Sequence, residues 1–199
     1  MDKTPDPIQE LVVAARRKQI LDAATQVFAE KGFHRATVKE IARVAGIADG
    51  TIYTYFASKD EVLLAVLDRL NETTERKQQF VLTDEQDLKA FFRAYLRQRM
   101  ALLWPNAEVF RAVLPELLVN GELRKRYYEQ VLAPTIAVGE HFSQGQSEHL
   151  QINIPLTVRA IAGTLLGLLL LQLLGDEVVA SQWEELPDVL TTLFFDTIL

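Results

Sequence analysis

Residues 37–59 gather the side chains of this chain best suited to chemistry, and that chemistry is hydrogen bonding to a polyanion. Thr51, Tyr53, Thr54 and Tyr55 bring four hydroxyls within five residues, and hydroxyls reach both phosphate oxygens and base edges. Ala48 and Gly50 are small enough to let the backbone approach a groove closely. Asp49, between them, either accepts from a cytosine amino group or serves as a helix-start residue. Lys59 follows, where a cation can add to a phosphate clamp. Catalysis has no comparable constellation. His34, His141 and His149 lack the i,i+4 spacing of a helical metal pair, and no G-x-S-x-G or glycine-rich phosphate loop occurs. With no cysteine in the chain, thiolate nucleophiles, thiolate metal sites and disulfides are excluded. The expectation is a binding protein rather than an enzyme, without metal or cofactor.

Such groups need a scaffold, and TVKEIARVAGIADGTIYTYF at 37–56 supplies one. Thr37 with Glu40 three residues on is a capping box that starts a short helix. Gly46 marks a tight turn after it. Val38, Ile41, Ala42, Ala45, Ile47, Ile52 and Phe56 are spaced to pack both short helices on a preceding one. That first helix runs from about Ile8 or Arg16 to Lys31, with Ile20, Ala24, Val27 and Phe28 on one face and Gly32 as its left-handed stop. A third helix over about Ala48–Tyr55 then takes the place of a recognition helix. Ser58 with Glu61 caps a fourth that runs on toward Phe80.

The rest also reads as helix, at three- and four-residue apolar spacing. Helices are expected from Thr83 or Asp84 to Trp104, over about 106–119 and 121–143, from about Pro155 to Leu174 and from about Trp183 to Ile198, with a loop near Ser143 to Pro155. The fold class is therefore all-α, with about nine helices. Net charge is −6, unevenly spread. Residues 1–60 carry nine basic and eight acidic residues (+1), and residues 61–199 carry twelve and nineteen (−7). A near-neutral head on an acidic body permits DNA binding without demonstrating it. It also leaves room for a competing class, a helical adaptor or ligand-sequestering protein that keeps the scaffold and does not use it on DNA.

Residues 16–65 resemble the DNA-binding head of the TetR family of transcriptional regulators. The resemblance rests on ILDAATQVFAEKGF at 20–33, the Thr37 start, AGIADGTIYTYF at 45–56 and SKDEVLLAV at 58–66. It implies that Thr37, Ala48, Asp49, Gly50, Thr51, Tyr53, Thr54, Tyr55 and Lys59 lie at DNA. In that scheme Thr37, Tyr53, Tyr55 and Lys59 chiefly hold phosphates, and Asp49, Gly50, Thr51 and Thr54 face bases. It further implies a repressor that binds a palindromic double-stranded operator as a homodimer and responds to a small effector. A domain division at 10–58 (DNA-binding, motif 37–56) and 59–199 (effector-binding and dimerisation) follows, with the fourth helix as the mechanical link.

In the body, 156–174 reads LTVRAIAGTLLGLLLLQLL, apolar nearly all round. Its uncharged run from Ala160 to Gly175 is shorter than the ~20 residues a bilayer requires, so burial is expected and a membrane is not. Ile161, Leu165, Leu168, Leu169 and Gln172, with Leu190 and Phe194 of the last helix, are the expected dimer interface. Met100, Trp104, Phe110, Arg111, Leu114, Tyr127 and Tyr128 are candidates for an effector pocket, whose Leu and aromatic content suits an apolar or aromatic ligand. The first ten residues lack an apolar signal core, which predicts a cytoplasmic protein.

Overall fold

A computed structural model describes residues 6–72, 88–145 and 153–194. The expected cap at Thr83 or Asp84, the run of the fourth helix to Phe80, Ser147 and His149 of the expected loop, and the last turn to Ile198 lie outside the described residues. The fold is all-α. In chain order the helices are α1 Pro7–Lys31, α2 Val38–Val44, α3 Lys59–Asn71, α4 Leu88–Leu103, α5 Ala107–Val119, α6 Gly121–Tyr127, α7 Ala133–Gly145, α8 Ile154–Leu173, α9 Glu177–Ser181 and α10 Leu186–Thr192. A 3-10 helix covers Asp49–Thr54, between α2 and α3. The chain divides into two compact units: Met1–Arg69 with Glu108–Tyr127, and Leu70–Ala107 with Tyr128–Leu199.

In the first unit, Asp6 caps α1 by accepting from the Ile8 amide (3.0 Å), and Pro7 occupies a position that needs no donor. Burial along α1 begins only at Ile20 and continues through Ala24, Val27 and Phe28, the i, i+4, i+7, i+8 stripe. Gly32 ends the helix at φ 75°, which excludes most side chains. Phe33 then turns inward against Phe28, ring centroids 5.5 Å apart. The capping box of α2 is present in both directions: the Glu40 amide donates to Thr37 Oγ1 and the Thr37 amide to Glu40 Oε2. Ile41, Ala42, Ile52, Phe56, Val62, Leu63 and Val66 complete the core with the α1 stripe.

The second unit is built on Phe92, Leu96 and Met100 of α4, which meet Val179, Trp183 and Leu190. The Trp183 indole donates to the Met100 carbonyl oxygen (3.0 Å). Asp188 is held by Arg93 (3.0 Å) and Arg97 (2.9 Å), fastening α10 to α4. Asn71 ends α3, and Glu72 follows at φ 49°, where a buried Arg99 donates to the Asn71 carbonyl (2.8 Å) and pairs with Glu72 (2.8 Å).

Three expectations change. The single helix expected over 121–143 is broken by a π turn at Tyr128–Leu132. Pro134 lacks an amide hydrogen and crowds the carbonyl one turn back, which accounts for the wider turn. The last helix does not start at Trp183. Asp176 accepts from the Val178 and Val179 amides to start α9 earlier, and Pro187 opens α10 afresh.

The third change concerns the expected dimer interface. Leu169 and Leu190 are buried in their own subunit, and Ile161, Leu165, Leu168 and Phe194 pack on that same core. Gln172 is half-buried. The outward face of α8 is instead Leu156, Ala160, Gly163, Leu166, Gly167, Leu170, Leu171 and Leu174. An apolar pattern all round the helix hid which side the subunit's own core would take. This helix is long and apolar enough to cross a membrane, with mean hydropathy 2.0 and 11% of that stretch buried.

Candidate nucleic-acid interface

The segment 37–59 is assembled from short elements, so outside supports fix its geometry. Gly46 at φ 65° makes the turn after α2. The Ile47 amide returns to the Ala42 carbonyl (3.0 Å), closing the end of α2. Asp49–Thr54 then winds as a 3-10 helix rather than the expected α-helix, with no side-chain cap at Ala48. Six residues that must seat one large apolar side chain, Ile52, gain little from α geometry. Ile52 and Phe56 are buried and point the remaining positions outward.

The exposed set is Thr37, Ala48, Asp49, Gly50, Tyr53 and Thr54, with Tyr53 59% accessible. Thr51, Tyr55 and Lys59 are half-buried. The hydroxyl-bearing face is therefore open to a ligand, and Gly50 would tolerate a Cβ without meeting any atom within 4 Å. Lys39 and Arg43 of α2 are exposed as well, adding positive charge to the first unit. Lys59 stands apart from the rest. Its ammonium donates to the carbonyl oxygens of Phe33 (2.8 Å) and Ala36 (3.0 Å) and lies 4.3 Å from the centre of the Phe33 ring. It closes the turn between α1 and α2 in addition to whatever it does with a ligand.

Sequence reasoning passed over Arg17 and Gln19. Gln19 donates to the Ala45 carbonyl at the end of α2 (2.5 Å), and Arg17 to the Tyr55 carbonyl at the end of the 3-10 helix (2.9 Å). The available signal was phase: Arg17 extends the buried stripe of α1 by one turn toward its N-terminus, where a long donor can reach neighbouring helix ends.

The geometry is that of a helix-turn-helix, and its sequence has relatives. Residues 20–66 match the family described as "Bacterial regulatory proteins, tetR family". This head is similar to that of the TetR family. Around this head, the chain is 40% identical over 85 residues to the fatty acid metabolism regulator protein of Bacillus subtilis (strain 168), which is 43% of this chain and 40% of that protein. The match thus spans about two fifths of the curated relative's length. Over longer stretches the likeness is mainly structural. The fatty acid degradation regulator FadR from Bacillus halodurans superposes with a TM-score of 0.72 at 25% identity, covering 87% of this chain and 97% of that one. FadR from Bacillus subtilis, solved in complex with stearoyl-CoA, gives 0.71 at 24% identity over 88% and 97%. The last likeness is one of fold. These relatives are named as regulators.

The effector-pocket candidates are less unified. Met100 is part of the second unit's core, Trp104 packs against Trp183 with the rings tilted (5.4 Å between centroids), and Tyr128 is exposed. Phe110, Leu114 and Tyr127 are half-buried in the first unit, where the exposed Arg111 pairs with Glu108.

Proposed function

We propose that this TetR-family chain is a transcriptional repressor that binds a palindromic operator as a homodimer and releases it when a fatty-acyl effector occupies the body. The carrying observation is the outward, hydroxyl-rich face of Tyr53, Thr54 and Thr51 beside the capped Thr37, held on a buried three-helix core. In this reading Thr37, Tyr53, Tyr55 and Lys59 hold phosphates, while Asp49, Gly50, Thr51 and Thr54 meet base edges.

The outward stripe of α8 supports the dimer. Leu156, Ala160, Gly163, Gly167, Leu170 and Leu174 recur at alternating spacings of four and three, the seam along which two helices pack. A Cβ built on Gly163 or Gly167 meets nothing within 4 Å in its own subunit, so a second copy's helix can come close at that point. Two heads about one DNA turn apart, ~34 Å, then read a repeat that one head reads weakly.

Two relatives support the effector class: one is named for fatty acid metabolism, and another was solved with stearoyl-CoA. An acyl chain also suits a body rich in leucine. Such a ligand acts only through unequal affinity for the DNA-competent and DNA-incompetent states.

The test is fluorescence anisotropy with DNA from upstream of the chain's own gene. Binding should weaken steeply with salt, and stearoyl-CoA should weaken it at fixed salt while coenzyme A alone does not. Binding to no fragment, or a flat salt response, rejects the DNA-binding reading. Intact operator binding that ignores acyl thioesters of every chain length rejects the effector.

A further inference from the structure

We infer that Arg17 is a positioning residue for the recognition helix: it sets how that helix is presented without itself holding DNA, an inference that rests on the DNA-binding reading above. The 3-10 helix Asp49–Thr54 has one buried side chain, Ile52, and no side-chain cap at its start. A segment pinned at one point can pivot about it. A second point of attachment fixes the pivot, and Arg17 supplies it twice over. Its Nη1 donates to the Tyr55 carbonyl oxygen at 2.9 Å, at the C-cap of the 3-10 helix. Its guanidinium carbon lies 4.4 Å from the centre of the buried Phe56 ring. A carbonyl at a helix end is an acceptor without an intrahelical partner, and a cation there also complements the helix dipole. Arginine is suited to both contacts because its plane can lie on a ring while its edge donates.

Gln19, two residues on, does the same for the preceding element by donating to the Ala45 carbonyl, the C-cap of α2. Both ends of the recognition turn are therefore capped by side chains from one turn of α1. Arg16, the adjacent arginine, instead bonds Gln19 Oε1 on its own helix (2.8 Å) and touches neither cap. It is the natural control, since its removal costs the same charge from nearly the same place.

A residue that orients base-reading groups differs from one that grips phosphate in a measurable way. Losing a phosphate contact lowers the salt slope of log K by about 0.9 and weakens all sequences alike. Losing orientation weakens operator binding selectively and leaves the slope alone.

Full-length wild type, Arg17→Ala, Arg17→Lys and Arg16→Ala are compared on operator and unrelated DNA across a salt series. Arg17→Ala should weaken operator binding ~10-fold, the scale of one charge-assisted hydrogen bond, with unrelated DNA and the salt slope little changed. Arg17→Lys should recover part of the loss, and Arg16→Ala should keep the operator-to-unrelated ratio of wild type. A slope lower by about 0.9 with equal losses on both DNAs, or an unchanged operator affinity, overturns the proposal. Should Arg17→Ala not fold, the ratio measured for Arg17→Lys decides. Amide hydrogen exchange without DNA keeps this test separate from the functional reading. Exchange at Tyr55 and Phe56, whose amides bond the Ile52 carbonyl (2.9 Å each), should accelerate ~10-fold in Arg17→Ala relative to Arg16→Ala, again the scale of one such bond. Equal rates in the two variants overturn the tie even if wild type binds no DNA at all.

Discussion

His34 Nε2 lies 2.6 Å from Oε2 of Glu116, a carboxylate of α5 whose side chain is only 6% accessible. Among the described residues that oxygen has no hydrogen-bond partner, and the imidazole is the basic group that stands against it. The other oxygen of Glu116 accepts from the Asn120 side-chain amide (3.1 Å). The turn between α1 and α2 is thus joined to α5 within one compact unit. A buried carboxylate without a partner is costly, about 1–3 kcal/mol or more. His34→Ala should therefore lower the thermal midpoint clearly, whereas Glu116→Gln in the same background should restore much of it by removing the stranded charge. A midpoint unmoved by His34→Ala would show that solvent already satisfies Glu116.

Lys59 and Tyr53 should separate when each is truncated. Lys59→Ala strips donors from the Phe33 and Ala36 carbonyls and removes the cation over the Phe33 ring. It is expected to cost about 1–2 kcal/mol in urea unfolding. Tyr53 is exposed, so Tyr53→Ala should leave stability within about 0.5 kcal/mol while reducing DNA affinity. Equal stability losses would mean that Tyr53 is a packing residue.

The acid side of the stability profile should carry a signature of α1. Burial pushes the Asp22 carboxyl upward, but hydrogen bonds from Lys18 and Arg69 outweigh it and hold it below the usual range. Glu40 is lowered chiefly by its hydrogen bond from Lys31, then by those from Thr37. Depressed carboxyls stabilise the fold above their unfolded values, ~3.9 and ~4.3. That stability is lost as pH falls through the folded values. The unfolding midpoint should therefore drop between about pH 5 and pH 3, and Arg69→Met should flatten the drop. An unchanged profile in that variant would locate the acid sensitivity elsewhere.

Along α8, two leucines on opposite faces should fail in opposite ways. Leu170→Glu, on the outward seam, should give a folded monomer by sedimentation. Leu169→Ala, in the subunit core, should cost about 2–5 kcal/mol of stability. If Leu170→Glu remains dimeric, the outward seam is not the interface.

The head was legible because its signals are local. Thr37 with Glu40, Gly32 and Gly46 each state a cap or a turn within four residues, and the structure forms all of them. The stripe from Ile20 to Phe28 gave the buried face of α1 by period alone. In α8, 156–174 is apolar on every side, so no period distinguished Leu169 from Leu170. Arg17 and Lys59 were opaque for another reason. Their partners are backbone carbonyls 38 and 23–26 residues away, and a carbonyl leaves no mark in a sequence. The break after Tyr127 was foreseeable from Pro134, whose effect reaches one turn back.

Because Glu108–Tyr127 shares a compact unit with the residues up to Arg69, this head is not a portable cassette. A chimera spliced at a single junction after α3 would transplant one part of the unit and leave α5 and α6 behind, with Glu116 facing a foreign turn in place of His34. Exchanging heads between chains of this fold therefore calls for two grafts made together, and a library that shuffles only the segment up to α3 should be rich in clones that misfold.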